Sequence, residues 1–402
     1  MKLPKDVETI INRLEDKGFE AYVVGGCVRD HLMGIPPHDY DITTSALPED
    51  IKRLFTHTVD TGIKHGTVTV IINKTGYEIT TFRLDGEYKD NRHPESVIFT
   101  PDLKEDLSRR DFTVNAIAYN HIRGYVDIFK GKDDIHSRVI RGVGDADKRF
   151  KEDALRMMRA LRFSAQLDFT IEKQTMKAVE DNAHLLKNIS PERIREEFFK
   201  LILSNHNERI PLLLDSGLMN YFLPEAIDIL KSKDIPFYRT MNVLSHSLPL
   251  RLSFIMHPLD VKKIREIFIR LRTDNKTIND TVLMVSLKDR GIKTSYDIRK
   301  IVNLSGELSN SVLEFICAVR GENITLPLKL LNDVYKSGDC CTLSNLAING
   351  KDVTEAGFKG KSVGVILSKA LEIVLKNPQK NERETLLKFI KTQRFEEKFF
   401  SK

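Results

Sequence analysis

Apolar positions along the first 140 residues switch between two periods. Val7, Ile10, Ile11 and Leu14 recur at helical spacing and stop before Gly18, which predicts an opening amphipathic helix. A short apolar run, Ala21 to Val24, leads into Gly25-Gly26 and reads as a strand. A helical stretch follows and ends before Pro36-Pro37, and Asp39 to Thr43 reads as a second strand. Thr67 to Asn73 and Tyr77 to Phe82 are rich in β-branched residues and flank Lys74-Thr75-Gly76, a hairpin signature. Val114 to Tyr119 and Tyr125 to Ile128 add β-like material. Between these, Asp85 to Pro101 carries Gly86, Asn91, two prolines and many charges, and reads as a long loop of the functional kind.

From about residue 145 the period is helical only. Lys148 to Gln166, Lys173 to Leu186, Pro191 to Leu203 and Leu212 to Phe222 fit helices, the third with a start signal in Ser190-Pro191. No strand pattern, internal repeat or low-complexity tract is evident beyond 145. The expected architecture is an α+β head with a mixed sheet, followed by an all-α arm.

Composition narrows the class. The chain has 402 residues, 41% hydrophobic and 30% charged, enough apolar material for real cores and too much for disorder. No run approaches the ~18–20 apolar residues of a spanning helix. The charged start, Met1-Lys2-Leu3-Pro4-Lys5-Asp6, has no secretory h-region. Cys27, Cys317, Cys340 and Cys341 show no metal-clamp or disulfide-framework spacing. The expected compartment is a reducing cytoplasm. With 63 Lys and Arg against 57 Asp and Glu, the net charge of +6 permits a polyanionic partner without demanding one.

Five patterns carry chemistry. Gly25-Gly26-Cys27-Val28-Arg29-Asp30 joins a strand to a helix, where glycines let a phosphate approach backbone N–H groups and Arg29 adds a charged fork. A tight turn needs the same glycines. Asp39-Tyr40-Asp41 places two carboxylates at i and i+2, on one face of a strand. They repel unless a cation lies between them, and Mg²⁺ suits one or two carboxylates plus substrate phosphates. Glu78 joins them if its strand lies beside theirs, as a two-metal phosphoryl-transfer site requires; alone it is an ordinary strand residue. Arg109-Arg110-Asp111-Phe112-Thr113 suits triphosphate or RNA phosphates, or equally a surface salt bridge. Finally, Asp153, Arg156, Arg159 and Arg162 recur every third residue of an expected helix. Such a stripe lags by about 60° per step, so Arg162 ends nearly opposite Asp153. A solvated face laced with ion pairs has the same pattern.

In this order, across about 165 residues, GGxVRD, DxD, RRDFTxNA and EDxxR resemble the bacterial tRNA nucleotidyltransferases, the CCA-adding enzymes, with the bacterial poly(A) polymerases close by. The resemblance implies a nucleotidyltransferase head (1–144), a helical neck that recognises the base (145–204), a helical body (205–300) and a tRNA-binding tail (301–402). It implies that Asp39 and Asp41 hold Mg²⁺ with Glu78 in support, and that Gly26, Arg29 and Arg110 bind the nucleotide. Asp153, Arg156, Arg159 and Arg162 would line the nucleotide pocket. In the tail, Ile348 to Val353 and Gly360 to Gly364 look like the segment that meets the tRNA elbow, with Lys359 and Lys361 as its RNA-binding cations.

The implied reaction is attack of an RNA 3′-hydroxyl on the α-phosphorus of CTP or ATP, with pyrophosphate leaving. Cytosine and adenine each offer an amino donor beside a ring-nitrogen acceptor, whereas guanine and uracil reverse the pair. A carboxylate accepts and a guanidinium donates, so Asp153 with Arg156 would take C and A and reject G and U. The order of addition would depend on the growing end and a mobile element; Tyr88, Asp90, Arg92 and Pro94 in the Asp85–Pro101 loop are the candidates. The rivals are a CC-adding or A-adding specialist, a poly(A) polymerase, and a non-catalytic RNA-binding protein on the same fold.

Overall fold

A computed structural model describes residues 1–86 and 96–400, with side chains up to Arg394. The chain forms two compact units, Met1–Asn242 with Arg270–Arg272, and Val243–Ile269 with Thr273–Lys402.

The first unit opens with α1 (Lys5–Glu15), which buries Val7, Ile10, Ile11 and Leu14, the residues its period selects. Then come β1 (Ala21–Val24), α2 (Gly26–Leu32), β2 (Asp41–Thr44), α3 (Pro48–Leu54), β3 (Thr58–Gly62), β4 (Thr67–Ile72) and β5 (Thr75–Thr81). β6 (Arg83–Asp85), β7 (Val97–Phe99), α4 (Leu103–Ser108), β8 (Ala118–Asn120) and β9 (Gly124–Val126) follow. Seven strands form one sheet in the order β3-β4-β5-β2-β1-β8-β9. Every neighbouring pair is antiparallel except β2 and β5, which run parallel. Val23, Ile42, Val68, Val70 and Ile79 bury one face of the sheet in a core shared with α1. On the other face Tyr22, Val24 and Ala118 pack with Leu103 and Leu107 of α4.

Several expectations shift at their edges. The strand expected from Asp39 begins at Asp41: its ladder with β1 runs from Val24↔Asp41 to Ala21↔Thr44, so the length of β1 sets its own. Asp39 therefore stands on the approach to β2. The hairpin turns on Asn73-Lys74, both left-handed (φ 50° and 67°), and Thr75 and Gly76 already belong to β5. A two-residue turn with positive φ at both positions matches the twist of paired strands. Val114 lies in a 3₁₀ turn, Thr113–Asn115, and pairing resumes only at Ala118. The long loop is shorter than expected because β6 and β7, at its two ends, form an antiparallel ladder. Tyr88, Asp90, Arg92 and Pro94 lie outside the described residues.

α5 (Gly131–His136) and β10 (Val139–Ile140) lead into α6 (Ala146–Glu152) and α7 (Leu155–Leu167). The single helix expected over Lys148–Gln166 is thus two. β11 (Thr170–Ile171) pairs in parallel with β10, a strand beyond 145 where none was expected. α8 (Lys173–Asn182) and α9 (Pro191–Ile202) follow, the latter with extended Ser190 at its N-cap and Pro191 in its first turn. α10 (Pro211–Asp215), α11 (Ile227–Lys231) and α12 (Ile235–Val243) come next.

The second unit is helical among its described residues: α13 (Leu248–Met256), α14 (Val261–Arg270), α15 (Asn275–Ser286), α16 (Ser295–Ser305), α17 (Ser309–Arg320), α18 (Thr325–Lys336), α19 (Gly350–Glu355), α20 (Lys361–Lys376) and α21 (Arg383–Phe400). Buried Arg299 of α16 donates to the Leu375 carbonyl of α20 at 2.6 Å and pairs with Asp339 at 2.9 Å, tying these segments together. Among the described residues no helix is long and apolar enough to cross a membrane.

Candidate active site and nucleotide pocket

The parallel pairing of β2 with β5 builds the carboxylate site. Ile42 stands opposite Ile79, so Asp41 and Glu78, one residue earlier on each strand, are level with one another. Both isoleucines turn into the core, which sends the two carboxylates to the other face by strand alternation. Asp39, Asp41 and Glu78 line one cavity of about 450 Å³ together with His38, Tyr40 and Tyr77. The Asp41 residue reaches the surface, yet protein around its carboxyl withholds enough water to raise it above the ordinary carboxylate range. The Arg110 guanidinium pulls against that rise and Asp39 adds to it. Among the described residues no three His, Cys, Asp or Glu side chains are grouped to hold a metal unaided.

The diglycine turn lies one step away, since Val24 pairs with Asp41. Gly25 has φ 81° and ψ −133°, a region that side chains exclude. A methyl built there would lie 3.4 Å from Arg110 Nη1 and 4.0 Å from Asp41 Oδ2, so the turn, the cation and the carboxylate crowd one point. Arg110 Nη2 donates to Asp106 at 3.3 Å, while its Nε is buried without an acceptor among the described residues. Arg29 follows Gly26 in α2 and is nearly buried. Its Nε and Nη2 bond Asp30 at 2.9 and 2.7 Å, and Nη1 bonds Asn115 at 2.7 Å.

The chain breaks at Asp153 (φ −131°, ψ 103°), which ends α6, and its carboxylate accepts from the Leu155 N–H at 3.1 Å at the start of α7. Asp153 is therefore not on the helix that carries Arg156, and the four-member helical stripe is corrected to three members on α7. Both Asp153 oxygens are held by Arg193 of α9, at 3.3 and 2.9 Å. Arg156 donates to Glu152 (2.9 Å) and to the carbonyls of Arg149 (3.3 Å) and Arg109 (2.9 Å). Arg159 pairs with Asp111 (2.7 Å), and Arg162 with Glu197 of α9 (2.5 Å). Arg29, Arg159 and Arg162 all lie against the Phe163 ring, with guanidinium carbons 5.2, 5.2 and 3.9 Å from its centroid.

Asp106, Arg193 and Glu197 were not singled out by the sequence, and Asp111 only as part of the Arg109–Thr113 run. Asp106, Asp111, Arg193 and Glu197 hold the charged residues of the stripe and the Arg109-Arg110 pair. Burial alone would raise the Asp111 carboxyl, but Arg159 and Asn115 outweigh it and hold it at about 2. Burial likewise opposes ionisation of Asp106, and Arg109 and Arg110 overcome it. The salt bridges of the Arg109–Thr113 run are made with other segments: Arg110 turns back to Asp106, and Asp111 reaches forward to α7.

In the second unit, Asn349 caps α19 in a capping box with Asp352, and Arg383 grips Asp352 with two nitrogens at 3.0 and 2.5 Å. Lys359 and Lys361 flank Gly360 at the start of α20, and both are exposed.

Comparison with known proteins agrees with this geometry. Residues 21–141, which carry most of the sheet, match the family model described as the poly A polymerase head domain. Residues 168–230 match the probable RNA and SrmB- binding site of polymerase A. The head thus belongs to the nucleotidyltransferase class. The CCA-adding enzyme of Leuconostoc mesenteroides is 40% identical, covering 96% of each chain. That of Lactiplantibacillus plantarum is 37% identical over 94% of each. The crystal structure of the Bacillus stearothermophilus CCA-adding enzyme in complex with CTP aligns over 99% of this chain and 100% of that one, with a TM-score of 0.87 and 35% identity. The chain belongs to the family of CCA-adding enzymes.

Proposed function

We propose that this chain adds C, C and A to the 3′ end of tRNA from CTP and ATP in the cytoplasm, releasing pyrophosphate, with its own side chains choosing the base. One observation carries the reading: Asp39, Asp41 and Glu78 line one cavity, with the Arg110 guanidinium crowding Asp41 at the diglycine turn. Enzymes of this family generally need a divalent metal, and Mg²⁺ is the ion we assign, held by Asp39 and Asp41 with Glu78 in support. The donor set fits, because Mg²⁺ takes one or two carboxylates and fills its shell with water and phosphate oxygens. When bound, it would lower the pKa of the attacking 3′-hydroxyl and neutralise triphosphate charge.

The chain's own groups then divide the work. Arg110, with a buried donor unmet, binds triphosphate oxygens beside Gly26, and Arg29 supports that turn through Asn115. Asp153 accepts from the amino group of C or A, and Arg156 donates to the ring nitrogen. The three bonds to Arg156 leave two of its five N–H donors. Asp153 Oδ1 already accepts from the Leu155 N–H and from Arg193, whereas Oδ2, held by Arg193 alone, keeps a further lone pair for the amino group. Arg159 and Arg162 brace the pocket wall. Lys359 and Lys361 meet RNA backbone, which a protein reads by shape and charge.

The test is tRNA lacking its 3′ end, incubated with Mg²⁺ and each nucleotide singly, then with both. CTP alone should add two residues, and both nucleotides three. Asp39→Ala and Asp41→Ala should abolish addition of both bases while tRNA binding stays near normal. Runs of A would mark a poly(A) polymerase, a stop after two C residues a CC-adding specialist, A added only to tRNA ending in CC an A-adding specialist, and binding without addition a non-catalytic RNA-binding protein.

A further inference from the structure

Asp106 has no assigned part in the reaction, yet its side chain is fully buried and ionised beside the carboxylate strand. From α4, Oδ1 accepts from Arg109 Nε and Nη2, at 3.0 and 2.7 Å. Oδ2 accepts from Arg110 Nη2 at 3.3 Å and from the Thr43 hydroxyl at 3.1 Å. Thr43 sits two residues after Asp41 on β2, so the two share a face of the sheet. Asp106 is thereby fixed to the strand that carries Asp41.

Arg110 stands between two carboxylates. Behind it is Asp106. In front, across the missing side chain of Gly25, is Asp41. Gly25 leaves that gap open, so nothing on the turn keeps the guanidinium from crossing it. A guanidinium laid on Asp41 would take the lone pairs a divalent cation needs, and such a pair is strong in a site shielded from water.

We propose that Asp106 is a positioning residue: it tethers Arg110 away from Asp41, so that the Asp41 carboxylate stays open to the divalent cation while Arg110 still faces the triphosphate. This rests on the reading of Asp39 and Asp41 as the metal pair. An asparagine at 106 keeps the shape but loses the charge, and its amide N–H₂ faces donors. Arg110 then swings to Asp41 and competes with the metal.

The experiment titrates the full-length protein with Mn²⁺, without RNA or nucleotide, and reads free Mn²⁺ by electron paramagnetic resonance. Asp106→Asn should weaken Mn²⁺ binding about tenfold, the scale seen when an outer-shell partner is lost. The double variant Asp106→Asn/Arg110→Gln should bind Mn²⁺ as Arg110→Gln alone does, a rescue that a merely structural defect would not show. If Asp106→Asn does not fold, Asp106→Asn/Arg109→Gln removes the buried pair together and carries the same expected loss. An Asp106→Asn protein with wild-type Mn²⁺ affinity overturns the tether, as does a double variant no tighter than the single. No Mn²⁺ binding by the wild type would instead overturn the metal pair itself.

Discussion

Arg162→Ala separates bracing from base choice. The Arg162–Glu197 pair is buried on both sides, with side chains 9% and 7% exposed. Removing one member of such a pair leaves the other charge unpaired and costs about 3–5 kcal/mol. Loss of the guanidinium from the Phe163 face, 3.9 Å from its centroid, adds ~0.5–1 kcal/mol. Relief comes from Arg159, whose Nη1 lies 4.0 Å from Glu197 and can move in. A net loss of about 3 kcal/mol follows, a fall of roughly 6–12 °C in the melting of a unit this size. The pair Arg162→Met/Glu197→Leu should recover most of it, since apolar replacement of a whole buried pair is often neutral. The assay is calorimetry on the single and double variants beside the ratio of kcat/KM for CTP over UTP. That ratio should hold in both. A loss under about 1 kcal/mol, or a relaxed ratio in the single variant, would refute the assignment of Arg162 to bracing.

Other consequences are independent of that pair. Asp111 is held at about 2 in the folded chain, below its unfolded value, so its contribution is present above that unfolded value and is lost as pH falls through the folded one. Asp111→Asn should therefore lower stability at neutral pH and flatten the acid limb between about pH 4 and 2; an unchanged acid limb in urea titrations would count against the Arg159 pairing. Replacing exposed Lys359 and Lys361 by Glu should weaken tRNA binding and reduce its log–log salt slope by roughly 1 per lysine that meets a phosphate. A minihelix too short to reach the tail should be extended nearly as well as by the wild type, and equal losses on both RNAs would argue against elbow contact.

Local chemistry was legible in the chain, and distant pairing was not. Gly25 and the β1–α2 turn follow from residue type, because only glycine suits that backbone. The placement of Glu78 level with Asp41 needed only that β5 lie beside β2. The break at Asp153 had a readable signal, an aspartate where a helix starts, but a charge recurring every third residue masked it. Asp111 with Arg159, Asp153 with Arg193 and Arg162 with Glu197 join positions 35 to 48 apart. Charge type alone cannot say which of 57 acidic groups meets which of 63 cations. For Asp153 with Arg193 and Arg162 with Glu197 that choice is made where α7 packs on α9, and Asp111 reaches α7 from the segment after α4.

The claim that protein side chains, not a nucleic-acid template, choose the base is tested most directly at Asp153. The measurement is the kcat/KM ratio for CTP over UTP, on tRNA lacking its 3′ end, in Asp153→Ala beside the wild type. The substitution removes the acceptor that pairs with the amino group of C and opposes the carbonyl of U. Each effect is worth about 1 kcal/mol or more, so the ratio should shrink roughly tenfold or beyond, with slower addition of both C and A. A ratio equal to the wild type's would contradict the account.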